Sequence, residues 1–218
     1  MRKILKLLLL LAIATAIYEI VPRMLPSPVN PHSFGGEDVL FLQDRLSSRY
    51  FDIFMLLVYS LGYIMMIYGT GIYIFLKRDA PRLERYLAVF IFVQSISMLT
   101  WWLFPVAPPR MAVNGVRDVR REMFGISEVA NPYPYGAFPS LHVANSLSAT
   151  LFVRSYGRRI FAVWVIVFIL LTFSTIYLGE HYWQDIVGGM GYSLAGYLAV
   201  KFLTKTNLGK KIFEPGEM

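Results

Sequence analysis

Six apolar stretches of near-spanning length punctuate the chain, at roughly 4–21, 51–76, 86–104, 139–153, 160–178 and 183–203. A helix needs about 20 mainly apolar residues to cross a bilayer. The pattern therefore predicts an all-α fold, a single polytopic membrane domain over residues 1–218 built as a six-transmembrane-helix bundle. The fourth stretch is short for a full span and suits a helix that starts inside a protein-lined cavity, where polar backbone is tolerated. The first has a second reading as a signal peptide, with Arg2, Lys3 and Lys6, a leucine run and Ala14-Thr15-Ala16. Its apolar run continues through Ile17, Tyr18 and Ile20, which favours a retained helix. In the loop 22–50, Pro22, Pro26, Pro28, Pro31 and Gly35-Gly36 predict an irregular start. Val39, Leu40, Leu42 and Leu46 then recur at helical spacing, which predicts a short capping helix within 38–49 rather than one lying flat in the interface.

Composition strengthens the membrane reading: 56% of the residues are hydrophobic and 16% charged, where a soluble domain carries about 25% charged. Cysteine is absent, so disulfides and thiolate metal sites are excluded. A net charge of +7 does not call for nucleic acid as a partner, because the basic residues follow the span boundaries. Arg2, Lys3, Lys6, Lys77, Arg78, Arg82, Arg85, Arg154, Arg158, Arg159, Lys201, Lys205, Lys210 and Lys211 all fall on one side if the six stretches span. That side is the cytoplasm by the positive-inside rule. The loops 22–50 and 105–138 and the turn at 179–182 then face outward, in an integral protein of the cell membrane. Trp101, Trp102, Tyr182 and Trp183 read as interfacial aromatics, and Gly188, Gly189, Gly191 and Gly196 as close-packing positions in the last span.

Polar chemistry collects on that predicted outer side. Pro105-Val106-Ala107-Pro108-Pro109 stiffens the chain that presents Arg110, and Arg117, Arg120 and Arg121 follow against the positive-inside trend. Guanidinium groups bind phosphate through paired hydrogen bonds, which makes Arg110 a candidate ligand. Arg117, Arg120 and Arg121 are better explained by lipid headgroups or by Asp118 and Glu122. In Gly136-Ala137-Phe138-Pro139-Ser140-Leu141-His142, Pro139 suits a first helical position, and free amides with the Ser140 hydroxyl form an anion site at a helix start. His142 follows in the first turn. His181 and Asp185, four apart, share a helical face, and a carboxylate on one imidazole nitrogen frees the other as nucleophile or base. His32, in the proline-rich loop, reads as a solvated histidine.

These residues resemble the motifs of the type 2 phosphatidic acid phosphatase superfamily. Its P-S-x-H motif matches Pro139, Ser140 and His142, and its S-R-x-x-x-x-x-H-x-x-x-D motif matches Ser174, His181 and Asp185, with Thr175 in place of the arginine. The K-x-x-x-x-x-x-R-P motif matches only through Arg110, with Leu103 and Met111 at the lysine and proline positions. Ala107-Pro108-Pro109 and Tyr177-Leu178-x-x-His181-Tyr182-x-x-Asp185 look more like the inositol phosphorylceramide synthase branch.

The resemblance covers about 86–203 and implies a metal-independent enzyme without a cofactor that acts on a membrane lipid through a phosphohistidine. It gives His181 as nucleophile, Asp185 as its support and His142 as general acid and base. Arg110, Ser140, Gly136 and Ala137 hold the phosphate, with Arg117, Arg120 and Arg121 as possible substitutes for the missing cations. Three activities compete: a lipid phosphate phosphatase or phosphotransferase, a headgroup transferase using a phosphoinositol-type donor, and a non-catalytic lipid-binding or transporting protein. A metal-dependent hydrolase is disfavoured by the spacing of His32 from the other two histidines.

Overall fold

The computed structural model describes residues 19–125 and 133–213, together with Lys6, Leu9, Leu10, Ala12, Ile13, Ala16 and Ile17 of the leading stretch. The predicted first span and its signal-peptide alternative lie largely outside the described residues. The helices are α1 (Glu37–Leu46), α2 (Arg49–Leu76), α3 (Ala80–Leu103), the short α4 (Pro109–Ala112) and α5 (Val119–Phe124), α6 (Leu141–Val153), α7 (Arg158–Tyr177), α8 (Trp183–Leu203) and α9 (Asn207–Ile212). No strand forms among the described residues. Four helices, α2, α3, α7 and α8, are long and apolar enough to cross a membrane.

The predicted fourth span forms the short helix α6. At 13 residues and 1.5 Å per residue, α6 is about 20 Å long, short of a bilayer core of about 30 Å. It lies at the centre, packed against α2, α3, α7 and α8, with Val143, Ala144, Ala149 and Val153 fully buried. The outer faces of the long helices carry the exposed apolar residues, among them Leu57 and Ile72 on α2, Ile166 and Ile169 on α7, and Leu198 and Phe202 on α8. A lipid-facing belt shields this central helix, and the turn that follows it still reaches the far end of the bundle, where the Tyr156 hydroxyl meets Asp79 at 2.9 Å just before α3.

Pairwise contacts fix the directions. Ser140 meets Gly189 and Phe152 meets Tyr197, so α6 and α8 run parallel. Thr100 bonds Tyr192 at 2.8 Å while Phe92 meets Gly196, so α3 runs against α8. The pairs Phe51 with Tyr177 and Thr70 with Trp164 set α7 against α2. Buried polar pairs such as Ser148 with Ser193, 2.8 Å apart, tie the helices where no hydrophobic difference between lipid and protein can.

Small residues let α8 approach the start of α6. A methyl on Gly189 would sit 2.5 Å from the Ser140 carbonyl oxygen, whereas one on Gly191 would meet nothing. Gly189→Ala is accordingly expected to cost about 1–3 kcal/mol as an overpacking change, read as a lower melting temperature in detergent, with Gly191→Ala as the unaffected control.

Two aromatic expectations are corrected. Trp102 and Trp183 are exposed as interfacial residues should be, but Trp101 and Tyr182 are buried. Trp101 turns inward to stack on Tyr133, its ring filling the space over Gly136 that a side chain there would occupy. Tyr182 packs beneath Phe34 in an aromatic cluster.

Candidate active site

Three extended connections meet at one end of the bundle. His32 N–H donates to the Pro105 carbonyl and Ala107 N–H to the His32 carbonyl, both at 2.9 Å; Val106 N–H donates to Tyr135 at 2.8 Å and Ala137 N–H to Val106 at 3.1 Å. Phe34, Phe104, Phe138 and Tyr182 pack over this junction. His32 is exposed and stacks on Phe104, so it joins the scaffold away from the other histidines. Arg110 N–H donates to the Gly179 carbonyl at 3.0 Å, docking α4 onto the turn that leads to His181. Gly179 has φ +72°, and a methyl there would lie 3.2 Å from the Arg110 Cβ, so glycine is required both for the turn and for the approach.

His181 sits just before α8, not on it. Asp185, in the first turn, accepts from the Tyr182 N–H at 2.8 Å and reaches His181 Nδ1 at 3.4 Å. The expected shared helical face is therefore a capping arrangement. The nearer partner of Nδ1 is the Ala137 carbonyl oxygen at 2.9 Å. Two acceptors facing Nδ1 hold the proton there and leave the lone pair on Nε2. His181 is 5% exposed and Asp185 fully buried, so this tautomer is locked by packing. Burial first, and then Asp185, push the Tyr182 hydroxyl up to about 12.

His142 stands beside it, with ring centroids 5.7 Å apart. Tyr59 and Tyr63 cover the His142 ring at centroid distances of 4.4 and 4.3 Å, and Asn145 Nδ2 donates to the Tyr63 hydroxyl at 2.9 Å. Both tyrosines lie where α2 widens into π-helical turns, over Val58–Gly62 and next to Met65–Gly69, a deviation often found at functional sites. Ser140, rather than Pro139, caps α6: its Oγ accepts from Val143 N–H at 3.4 Å and its own N–H donates to the Asp185 carbonyl at 3.1 Å. Pro139 thus precedes the helix. Ser140 keeps a hydroxyl proton to donate, and the first free amides of α6 lie beside His142. Gly136 is held by Trp101, and Ala137 contributes its carbonyl to His181.

The four arginines divide. Arg110 donates from Nε to Glu180 at 3.0 Å and from Nη1 to Asp118 at 3.3 Å. Arg120 donates to the same Glu180 oxygen at 2.9 Å and lies over the Tyr59 ring. Burial opposes the charge on Arg120, yet Glu180 and Asp118 hold its pKa above the ordinary arginine value. Arg117 instead pairs with Asp52 at 2.9 Å and with Glu122, and Arg121 is exposed, its backbone N–H capped by Asp118 at 3.0 Å. Arg110 and Arg120 therefore flank the two histidines, while Arg117 and Arg121 lie outward. Leu103 is exposed and the Thr175 hydroxyl turns back to Thr172 in its own helix, so neither replaces a cation.

Glu180, Tyr59, Tyr63 and Gln43 join the site although no sequence motif marks them. Gln43 ties the cap helix down by donating to the Tyr177 carbonyl at 2.8 Å and accepting from the Arg117 N–H at 2.8 Å. Of these, Glu180 carries a local signal, an acidic residue adjoining His181 between two apolar stretches.

The chain matches the PAP2 superfamily over residues 31–199. It is 26% identical over 195 residues to the inositol phosphorylceramide synthase of Candida albicans, covering 80% of this chain and 41% of that protein. It is 25% identical over 152 residues to the phosphoinositol dihydroceramide synthase of Bacteroides thetaiotaomicron, covering 61% of this chain and 50% of that protein. The chain thus spans half or less of the length of these curated relatives. No solved structure matches it significantly. Motif residues gathered around one histidine pair and a match over most of the chain agree: the protein belongs to the PAP2 superfamily.

Proposed function

We propose that this protein is a metal-independent lipid phosphotransferase working through a phosphohistidine on His181, at the extracytoplasmic face of the cell membrane. The observation that carries the reading is the double hold on His181 Nδ1 by Ala137 and Asp185, which leaves Nε2 nucleophilic beside His142. Nε2 attacks phosphorus and the bond from phosphorus to the lipid oxygen breaks, its electron pair leaving with that oxygen. His142, which enters the step as an imidazolium beside the bound phosphate anion, gives the oxygen its proton and becomes neutral. An acceptor hydroxyl then passes its proton to His142 and attacks phosphorus, and the N–P bond breaks. Arg110, Arg120, the Ser140 hydroxyl and the α6 amides stabilise the charge gathered on the phosphoryl oxygens. Gly136 and Ala137 shape that pocket, while Arg117 and Arg121 brace or border it.

Transfer to an alcohol acceptor is favoured over hydrolysis, because both relatives are named as synthases of phosphoinositol-bearing ceramides. The outward orientation rests on the basic residues at the opposite helix ends. Purified protein in detergent with EDTA, offered lipid phosphomonoesters and phosphodiesters with and without an alcohol acceptor, tests the reaction and its independence of metal. A new lipid product that requires both diester and acceptor is expected. Free phosphate from monoesters alone would mean a phosphatase, and no turnover across the panel would leave a lipid-binding protein.

A further inference from the structure

Near the histidine pair, the carboxylates of Glu180, Asp118 and Asp185 already match or exceed the charge of Arg110 and Arg120 before any substrate arrives. Arg110 and Arg120 both donate to one oxygen of Glu180, the residue before His181, while Arg110 also donates to Asp118. The Arg110 and Glu180 side chains are only 3% and 4% exposed, so water screens little of their interaction. Further out, Arg117 is answered by Asp52 and Glu122. The two positions where the resemblance expects more cations carry Leu103 and Thr175.

A lipid phosphodiester brings one negative charge; a phosphomonoester brings between one and two near neutral pH. In a poorly screened site each added charge must be matched or it disfavours binding. Two guanidinium groups already shared with carboxylates can answer a single added charge, and meet a second one poorly.

We propose that Glu180 is a specificity-determining residue, which by holding Arg110 and Arg120 sets the site for a singly charged phosphodiester and against a doubly charged phosphomonoester. This rests on the phosphotransferase reading. Glu180 acts through the arginines and touches no reacting atom. Its position next to His181 in the chain ties the charge balance to the nucleophile's own turn, with Gly179 and Arg110 joined on the other side.

Glu180→Gln keeps the size and an acceptor for Arg110 and Arg120 but deletes the charge. The kcat/KM ratio of monoester to diester, measured on a matched pair with the same acyl chains, is expected to rise roughly tenfold, mostly through the KM of the monoester. Glu180→Asp, which retains the charge, should keep the wild-type ratio. Asp118→Asn, at the more accessible partner of Arg110, should shift the ratio the same way by less. Equal losses on both substrates in Glu180→Gln would assign a purely structural role and overturn the proposal.

Binding provides a readout that needs no turnover. Inorganic phosphate at pH 8 and dimethyl phosphate are compared as stabilisers of the purified protein against heat. Wild type should favour dimethyl phosphate, and Glu180→Gln should gain for inorganic phosphate; an unchanged preference overturns the proposal. Turnover surviving in His181→Ala would instead sink the phosphohistidine while leaving the charge-selectivity measurement to stand or fall separately.

Discussion

His181→Ala is expected to lower kcat by on the order of 10⁴-fold or more, the scale seen when a covalent nucleophile is deleted. The expectation follows from how the ring is held. The Ala137 carbonyl and Asp185 both face Nδ1, so Nε2 is the nitrogen left to attack, and no neighbouring residue offers an equivalent nucleophile in the same geometry. Asp185→Asn should lose less, because the Ala137 carbonyl still holds Nδ1 and an amide oxygen can still accept from the Tyr182 N–H. Steady-state kinetics on the best substrate of the panel gives both numbers. Equal losses in the two variants would mean that Asp185 does more than hold the ring.

His142→Ala is expected to cost about 10²–10⁴-fold with a lipid substrate, the usual contribution of a general acid or base. The loss should depend on the leaving group. In the proposed mechanism a lipid alkoxide needs the proton from His142, whereas a nitrophenolate leaves without it. With a nitrophenyl phosphate ester the first step should survive, and a burst of nitrophenol equal to the enzyme concentration should precede a slow phase, because the second step still lacks its base. Identical losses for lipid and nitrophenyl esters would remove His142 from proton transfer. Tyr59 and Tyr63 cover the ring on α6, so the deletion leaves a hole between aromatic side chains, and a melting curve should accompany the kinetics.

Much of this arrangement is visible in local patterns, and its omissions have a common cause. The last span coincides with α8, Trp183–Leu203, because its apolar run is bounded by polar turns and its helix start by Asp185. The motif residues His142, His181 and Asp185 stand out because ionisable groups are costly in an apolar chain. By contrast, the placement of α6 at the centre could not be read from its length, since a short apolar helix looks alike whether shielded by neighbours or cut off by a loop. The sequence pattern suits Pro139 to the first helical position, yet Ser140 caps the helix, because both residues are good helix starters and only backbone geometry separates them. The Tyr59 and Tyr63 clamp on His142 and the Glu180 link between Arg110 and Arg120 join residues 60 to 83 positions apart in the chain, and no local spacing encodes such contacts. Arginine placement shows the same limit. Four look alike in sequence, but only Arg110 and Arg120 share the acid next to His181.

Direct capture of the covalent intermediate tests the central claim most closely. Purified protein is mixed with a nitrophenyl phosphate ester radiolabelled at phosphorus and quenched during the first turnovers in wild type, His142→Ala and His181→Ala. The account predicts protein-bound label that survives alkali, is lost in acid and maps to the peptide containing His181, with more of it in His142→Ala and none in His181→Ala. Turnover without any label on the protein, or label that persists when His181 is replaced, would contradict it.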